Sequence, residues 1–567
     1  MMKRLGLIPA ALSLLAACEG RVPTSATILP ADTLILSGEA AQFSVEVRDQ
    51  EDEVMPDPGG TWSALSGPVE VSATGLVTGT GPGVGTVRFT VEDVVADAPI
   101  RVNPELDLTA ELSYLNQAIQ NPEEPIPLVP GRAGLLRLFV AVPDEHYYLE
   151  APAVRVEVGG FDTTITQGWP RIRKTVDESE LQYSYNALIP GSLIEKPSVE
   201  VRVTYDPEDE INGISGEEVL TLEVADAERF DLMVVPTVSS AHPRPDISNW
   251  ANDGLTWDHN KLWAVRKLLP VSTETGNLTV HEVLHVDYSI TNGNGWVRWL
   301  NHMGTLRREE GRRDYYLGVM KPAGGGIGGI AYLRNPAVVA IDLPTTMSHE
   351  LGHGMSLAHA PCNVQGDPNY PHDEGAIGQW GIDLDDMELI PPHFKDHMGY
   401  CQQDNWVSDF FFDKSLAHRV RSGRYEAGPE PVLVLSGDIT GKTFEPALAF
   451  GAVPDPPDPD GTHVLTGIDF EGAEVFSFRF HPLEVMDLEP GHLTFNVAVP
   501  YDVDRDGRLA RVTLTGPGAE MSLLPDSHPR LVMERRNGQI VSITTDHRGP
   551  VPPGALSSTG IPQSKND

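Results

Sequence analysis

Residues 342–362 read DLPTTMSHELGHGMSLAHAPC and hold His349, Glu350, His353 and His359 within eleven residues. Asp342 and Pro344 suit a helix start, and Met347, Leu351 and Met355 then recur every fourth residue, which predicts a helix with one buried apolar stripe. Residues four apart on a helix face the same way, so His349 and His353 project together with Glu350 beside them. Two imidazoles leave a hydrolytic zinc site one protein ligand short, because such sites use three and keep a position open for water. His359 lies far enough past His353 for the chain to leave the helix, turn and return a third nitrogen. Glu350 can then reach the water as general base.

A second His-Glu-x-x-His, His281, Glu282 and His285, stands in NLTVHEVLHVDYSITNGNG. Its apolar residues Leu278, Val280, Leu284 and Val286 alternate, and Asn-Gly pairs close it, which reads as strand. Four residues of strand separate two imidazoles by roughly 13 Å, and no third histidine follows at a useful distance. This copy is expected to bind nothing.

The run from His349 to His359 resembles the metzincin zinc motif H-E-x-x-H-x-x-G-x-x-H. The resemblance implies a zinc peptidase with His349, His353 and His359 as ligands, Glu350 as base, and a methionine-containing turn beneath the metal. DHMGYC, Asp396 to Cys401, supplies that turn at Met398. It also implies a role for Tyr400, as zinc ligand or oxyanion donor; packing is the alternative reading. Ser356 departs from the motif's glycine, where a left-handed backbone is needed, at a cost of roughly 1–2 kcal/mol for a side chain. Upstream, GGIGGIAYL resembles the sheet edge to which substrate adds as a strand in such enzymes; an ordinary glycine loop is the alternative.

Composition bounds the rest. A chain of 567 residues with 54 Gly and 48 Pro is multidomain and rich in loops and strands. Its net charge of −40 opposes contact with phosphate backbones, which argues against a nucleic-acid partner. Lys3 and Arg4, an apolar run from Leu5 to Ala17 and then Cys18 read as an export signal over residues 1–17. LAAC, Leu15 to Cys18, resembles the bacterial lipoprotein processing site, which implies a lipid on Cys18 and a membrane anchor; an unlipidated signal is the alternative. Glu19, where aspartate would retain a lipoprotein at the inner membrane of enteric bacteria, implies the outer membrane or cell surface. In an exported chain the two remaining cysteines, Cys362 and Cys401, are expected to pair, two free thiols being the alternative.

Alternating β-branched runs between turn residues predict a β-sandwich over 24–102, which resembles bacterial Ig-like modules, and a second β-rich block over 104–227. Residues 229–421 mix helix and strand patterns and hold both histidine clusters; SNWANDGLTWDHNKLWAVRKLL, 248–269, is expected to be a helix. A third sandwich is expected over 425–548, with a frayed tail over 549–567. Asp502, Asp504 and Asp506 alternate before Gly507 as in calcium loops, an aspartate-rich turn being the other reading. The fold class expected is multidomain, with β-sandwich modules flanking an α/β (α+β) metzincin-like catalytic domain. The function expected is zinc-dependent cleavage of extracellular protein or glycoprotein; the competing reading is a noncatalytic adhesin or glycan-binding lipoprotein.

Overall fold

The computed structural model describes residues 20–142, 149–211, 213–243, 247, 254–311, 314–322, 324–401, 404–422 and 428–564. The signal segment 1–17 and Cys18 lie outside them. The first module runs from the strand Pro23–Leu29 to the strand Val94–Asn103. Its core of Phe43, Val47, Val87, Phe89, Ile100 and Val102 comes from alternate residues of facing strands, as two-sheet packing requires. The second block closes a three-stranded and a four-stranded sheet on Leu136, Leu138, Val156, Val201 and Tyr205.

The remaining residues build one large mixed sheet, whose strands we number from its first: β1 (Asp231–Ser239), β2 (Leu284–Val286), α1 (Gly293–Glu309), β3 (Tyr315–Met320), β4 (Gly329–Tyr332), β5 (Ala337–Ile341) and α2 (Pro344–Gly354). Then come α3 (Asp409–Ser422), β6 (Glu430–Asp438), β7 (Leu483–Met486), β8 (Leu493–Pro500), β9 (Leu531–Arg536), β10 (Gln539–Thr544) and β11 (Leu556–Ser558). The order across the sheet is β6-β8-β7-β4-β5-β3-β1-β2-β10-β9-β11, with short strands added at β1, β6 and the β6 end. Pairing is parallel from β5 through β3 and β1 to β10, and antiparallel elsewhere.

Period two sorts the strand residues onto two faces. Met233, Val235, Tyr316, Val339 and Ile330 pack with Trp296, Trp299 and Leu300 of α1. Leu232, Val234, Leu317, Val338 and Ala340 pack with Met347, Leu351 and Met355 of α2, the apolar stripe read from the sequence. Helix α2 starts on Pro344 without a side-chain cap, and Asp342 is used otherwise: its buried carboxylate holds Lys261 at 2.7 Å and Lys321 at 2.5 Å. Met398 lies directly beneath α2, where a Cβ added to Gly352 would stand 2.6 Å from its Sδ. A disulfide joins Cys362 to Cys401, with Cα atoms 5.7 Å apart, and ties the chain after α2 to the turn carrying Met398. Closing that loop of 39 residues is worth about 4 kcal/mol in the chain-entropy model.

Three expectations are corrected. In the 248–269 stretch only Trp263–Leu268 is helical among the described residues, because Gly254 takes a positive φ and turns fill the approach; residues 248–253 lie outside the described set. The C-terminal block is no separate sandwich: β6, β7 and β8 extend one side of the central sheet and β9, β10 and β11 the other, and a four-stranded sheet packs beside them. Nor is the tail frayed over its described part, since Ser557 pairs with Val532, Ile561 is buried and Gln563 donates to the carbonyl of Leu509. Alternation identifies a strand but not the sheet it joins.

Gly352→Ala should lower stability by about 1–3 kcal/mol in urea unfolding, because its methyl collides with Met398 in a packed site. An unchanged midpoint would show the contact to be slack. A second expectation concerns His302, buried in α1 beside the Tyr288 hydroxyl at 2.8 Å, whose imidazole burial pushes down to about 3. The unfolded chain titrates near 6.5 and so binds the proton more readily, which makes stability fall as pH drops from about 6.5 toward 3. The urea midpoint should follow that fall, and less steeply in His302→Gln.

Candidate functional site

Helix α2 presents His349 and His353 on one face, and the turn after it decides where His359 goes. Ser356 has φ +78°, the left-handed conformation for which the sequence motif would use glycine. Its hydroxyl accepts from Arg334 Nε at 3.1 Å, which helps hold a conformation costing about 1–2 kcal/mol for a side-chain-bearing residue. The turn carries the carbonyl of Leu357 back under the helix, where His353 Nδ1 donates to it at 2.7 Å. Beyond it Ala360 N donates to Met398 O and Tyr400 N to Cys362 O, pairing the His359 segment with the Met398 turn. Buried Asp396 fixes that turn, accepting from the backbone N–H of Met398 and of Ser408; burial raises its carboxyl to about 6.

His349 Nδ1 donates to the carbonyl of His397 at 3.0 Å. A carbonyl only accepts, so in the neutral imidazoles of His349 and His353 the proton sits on Nδ1 and Nε2 keeps its lone pair. Those two Nε2 atoms stand 3.1 Å apart, and the ring of His359 lies 4.9 Å from that of His353. At that range the two Nε2 atoms share a positive charge, either a proton on one ring or a metal ion between them.

A fourth residue, absent from the sequence motif, completes the cluster. Asp487, just past β7, reaches His353 Nε2 at 2.9 Å, His359 Nε2 at 3.1 Å and His349 Nε2 at 3.4 Å. The Tyr400 hydroxyl donates to the same carboxylate at 2.5 Å. One donor atom each from His349, His353, His359 and Asp487 lies within 4.8 Å of every other, and among the described residues no other such group of His, Cys, Asp or Glu occurs. Asp487 Oδ2 and Glu350 Oε2 are buried without a hydrogen-bond partner. Burial drives His353 down to about 4, and burial followed by the Asp487 charge drives Glu350 well above the usual carboxylate range. Burial alone would raise Asp487, but the His349 and His353 charges hold it well below. The cluster calls for positive charge at its centre.

Glu350 lies at the rim of this cluster, against β4: a Cβ on Gly329 would come within 2.4 Å of its Oε1. The edge of β4 expected to receive substrate is partly taken, because β7 pairs with it through Ala331↔Met486 and Tyr332↔Val485. The second His-Glu-x-x-His is not one strand: residues 281–283 lie between the strand Asn277–Val280 and β2. His281 is buried with Nε2 2.8 Å from Glu310, while His285 is exposed on β2. Asp502, Asp504 and Asp506 do not converge as a chelating group. Asp502 caps the short helix Val503–Asp506, accepting from Asp504 N, and Asp506 pairs with Arg505 and accepts from Asp502 N.

Residues 298–422 match the model of the family described as Peptidase M66. The match runs from within α1 to the end of α3, so it includes the three histidines, Glu350, Met398 and Tyr400 and stops short of Asp487. No curated protein matches the chain. Among solved structures, S-layer protein SbsC, domains 5-6, is 12% identical, over 36% of this chain and 98% of that one, with a TM-score of 0.14. The Yersinia pseudotuberculosis adhesin InvE is 14% identical, over 35% and 58%, at TM-score 0.16. Bovine butyrophilin is 14% identical, over 35% and 99%, at 0.20. Likenesses at these scores carry no argument about function. The stretch that builds the histidine cluster is the stretch that matches a metallopeptidase family.

Proposed function

We propose that the chain is a zinc-dependent endopeptidase of metzincin type that cleaves extracellular protein or glycoprotein. We further propose that a lipid on Cys18 anchors it at the outer membrane or cell surface. The observation that carries the peptidase reading is the convergence of three imidazole Nε2 atoms beside a buried, unpartnered glutamate. Zinc with arms of 2.0–2.2 Å to four tetrahedral ligands needs ligand–ligand distances of about 3.3–3.6 Å. The cluster's closest distances, 2.9 to 3.4 Å, lie near that range, so its residues fit the ion. The left-handed Ser356 and Met398 beneath Gly352 support the metzincin reading.

In this reading His349, His353 and His359 hold the ion through Nε2, each of the first two oriented by a carbonyl on its Nδ1. Such contacts fix tautomer and ring direction in metal sites. When bound, zinc acidifies a water molecule and polarises the scissile carbonyl. Glu350 accepts the proton of the attacking water as the new C–O bond forms and passes it to the amine as the C–N bond breaks. Tyr400, whose hydroxyl already donates into the centre, donates to the oxyanion of the tetrahedral state.

The test is zinc content and peptide-library cleavage by the purified chain from Glu19 onward, with protein in excess. About one zinc per chain is expected, with cleavage abolished by chelation. Glu350→Gln should keep zinc and lose about 100-fold or more in turnover, and His353→Ala should lose zinc. Protein that takes up no zinc when it is supplied, or a zinc-loaded chain that stays inert even as Asp487→Asn, would contradict the reading.

A further inference from the structure

We infer that Asp487 is a fourth ligand of the ion and that β7 with its following turn is a built-in plug, filling the water position and the substrate edge together. The inference rests on the peptidase reading for what the plug would block. Its own support is geometric. The Asp487 carboxylate straddles three Nε2 atoms at 2.9, 3.1 and 3.4 Å, and one donor atom from each of the four residues lies within 4.8 Å of every other. Three imidazole nitrogens and a carboxylate oxygen at that spacing, buried together, form a donor set that a divalent cation fills.

The strand before it sits where an extended substrate would. β7 runs antiparallel to β4 along the edge that Gly329 brings next to Glu350, and its register delivers Asp487 to the metal position directly after Met486. A fourth protein ligand closes a site that hydrolysis needs open. The backbone of Asp487 is left-handed, φ +67°, a strained position that aspartate and asparagine tolerate better than most residues. Val485 anchors the strand in the core, whereas the pairing with β4 is confined to two residue pairs, so the turn can leave without unfolding the sheet. The chain therefore holds its centre closed until the Asp487 turn moves away.

The experiment uses the full chain from Glu19 onward and the variant Asp487→Asn, which keeps the shape and the left-handed backbone while removing the charge. Zinc affinity is measured by competition with a chelator, acetohydroxamate is the probe for an open coordination position, and cobalt replaces zinc for visible spectra. Asp487→Asn should bind zinc roughly tenfold or more weakly, bind acetohydroxamate roughly tenfold or more tightly, and change the cobalt spectrum. Peptide cleavage should rise. If zinc affinity, hydroxamate affinity and cobalt spectrum all match wild type, Asp487 is no ligand and the inference fails, whatever the cleavage result. If those three readouts change and neither protein cleaves any peptide, the ligand assignment stands and the peptidase reading fails. Asp487→Ala, followed by circular dichroism, guards against an asparagine that still coordinates through its amide oxygen.

Discussion

Everything at the centre of this protein follows from where two imidazole protons are held. The carbonyls of His397 and Leu357 take the Nδ1 protons of His349 and His353, which turns both Nε2 lone pairs toward one point. Such an arrangement is stable only around positive charge, so the surrounding structure must resist its repulsion. Helix α2 lies on the central sheet through Met347, Leu351 and Met355, Met398 fills the space under Gly352, and the Cys362–Cys401 bridge fastens the returning segment. The two carbonyls are themselves products of turns, one at Ser356 and one ordered by Asp396. Rigid supports of this kind keep ligands within tenths of an ångström of where an ion needs them.

The large sheet explains why the C-terminal block cannot be treated as an appendage. β7 and β8 pair alongside β4, and β10 pairs with β2, so the chain past residue 429 covers both flanks of the core that carries the histidine cluster. Covering the flanks protects backbone groups that would otherwise invite pairing with other chains. It also brings an aspartate 128 residues after His359 into the centre. Arg308 of α1 reinforces the junction, donating to Asn496 of β8 and to Asp455. The contacts that complete the core are thus the ones that carry Asp487 to the histidines.

Local chemistry was legible in the sequence and distant pairing was not. The period of Met347, Leu351 and Met355 gave the helix, and with it the shared face of His349 and His353; the alternation around His281 pointed to strand, which the structure has on either side of residues 281–283, with His281 buried and His285 exposed. Ser356 was readable as a residue in a glycine's place, and the structure keeps the left-handed turn at that position. Asp487 stood in VMDLEPG, a stretch indistinguishable from any acidic turn, because its meaning depends on a strand register set across more than a hundred residues. The strands after residue 429 showed their period plainly but not their partners, which is why they read as a sandwich. The 248–269 stretch failed for the opposite reason: its apolar spacing looked helical while Gly254 and the turns after it broke the run.

The most direct test of the account is X-ray absorption at the zinc edge on the zinc-loaded protein. The account predicts three imidazole nitrogens at about 2.0–2.1 Å with the remaining coordination from oxygen. A spectrum with fewer than three imidazoles, or with sulfur in the first coordination sphere, would contradict the convergence of His349, His353 and His359 on a single ion.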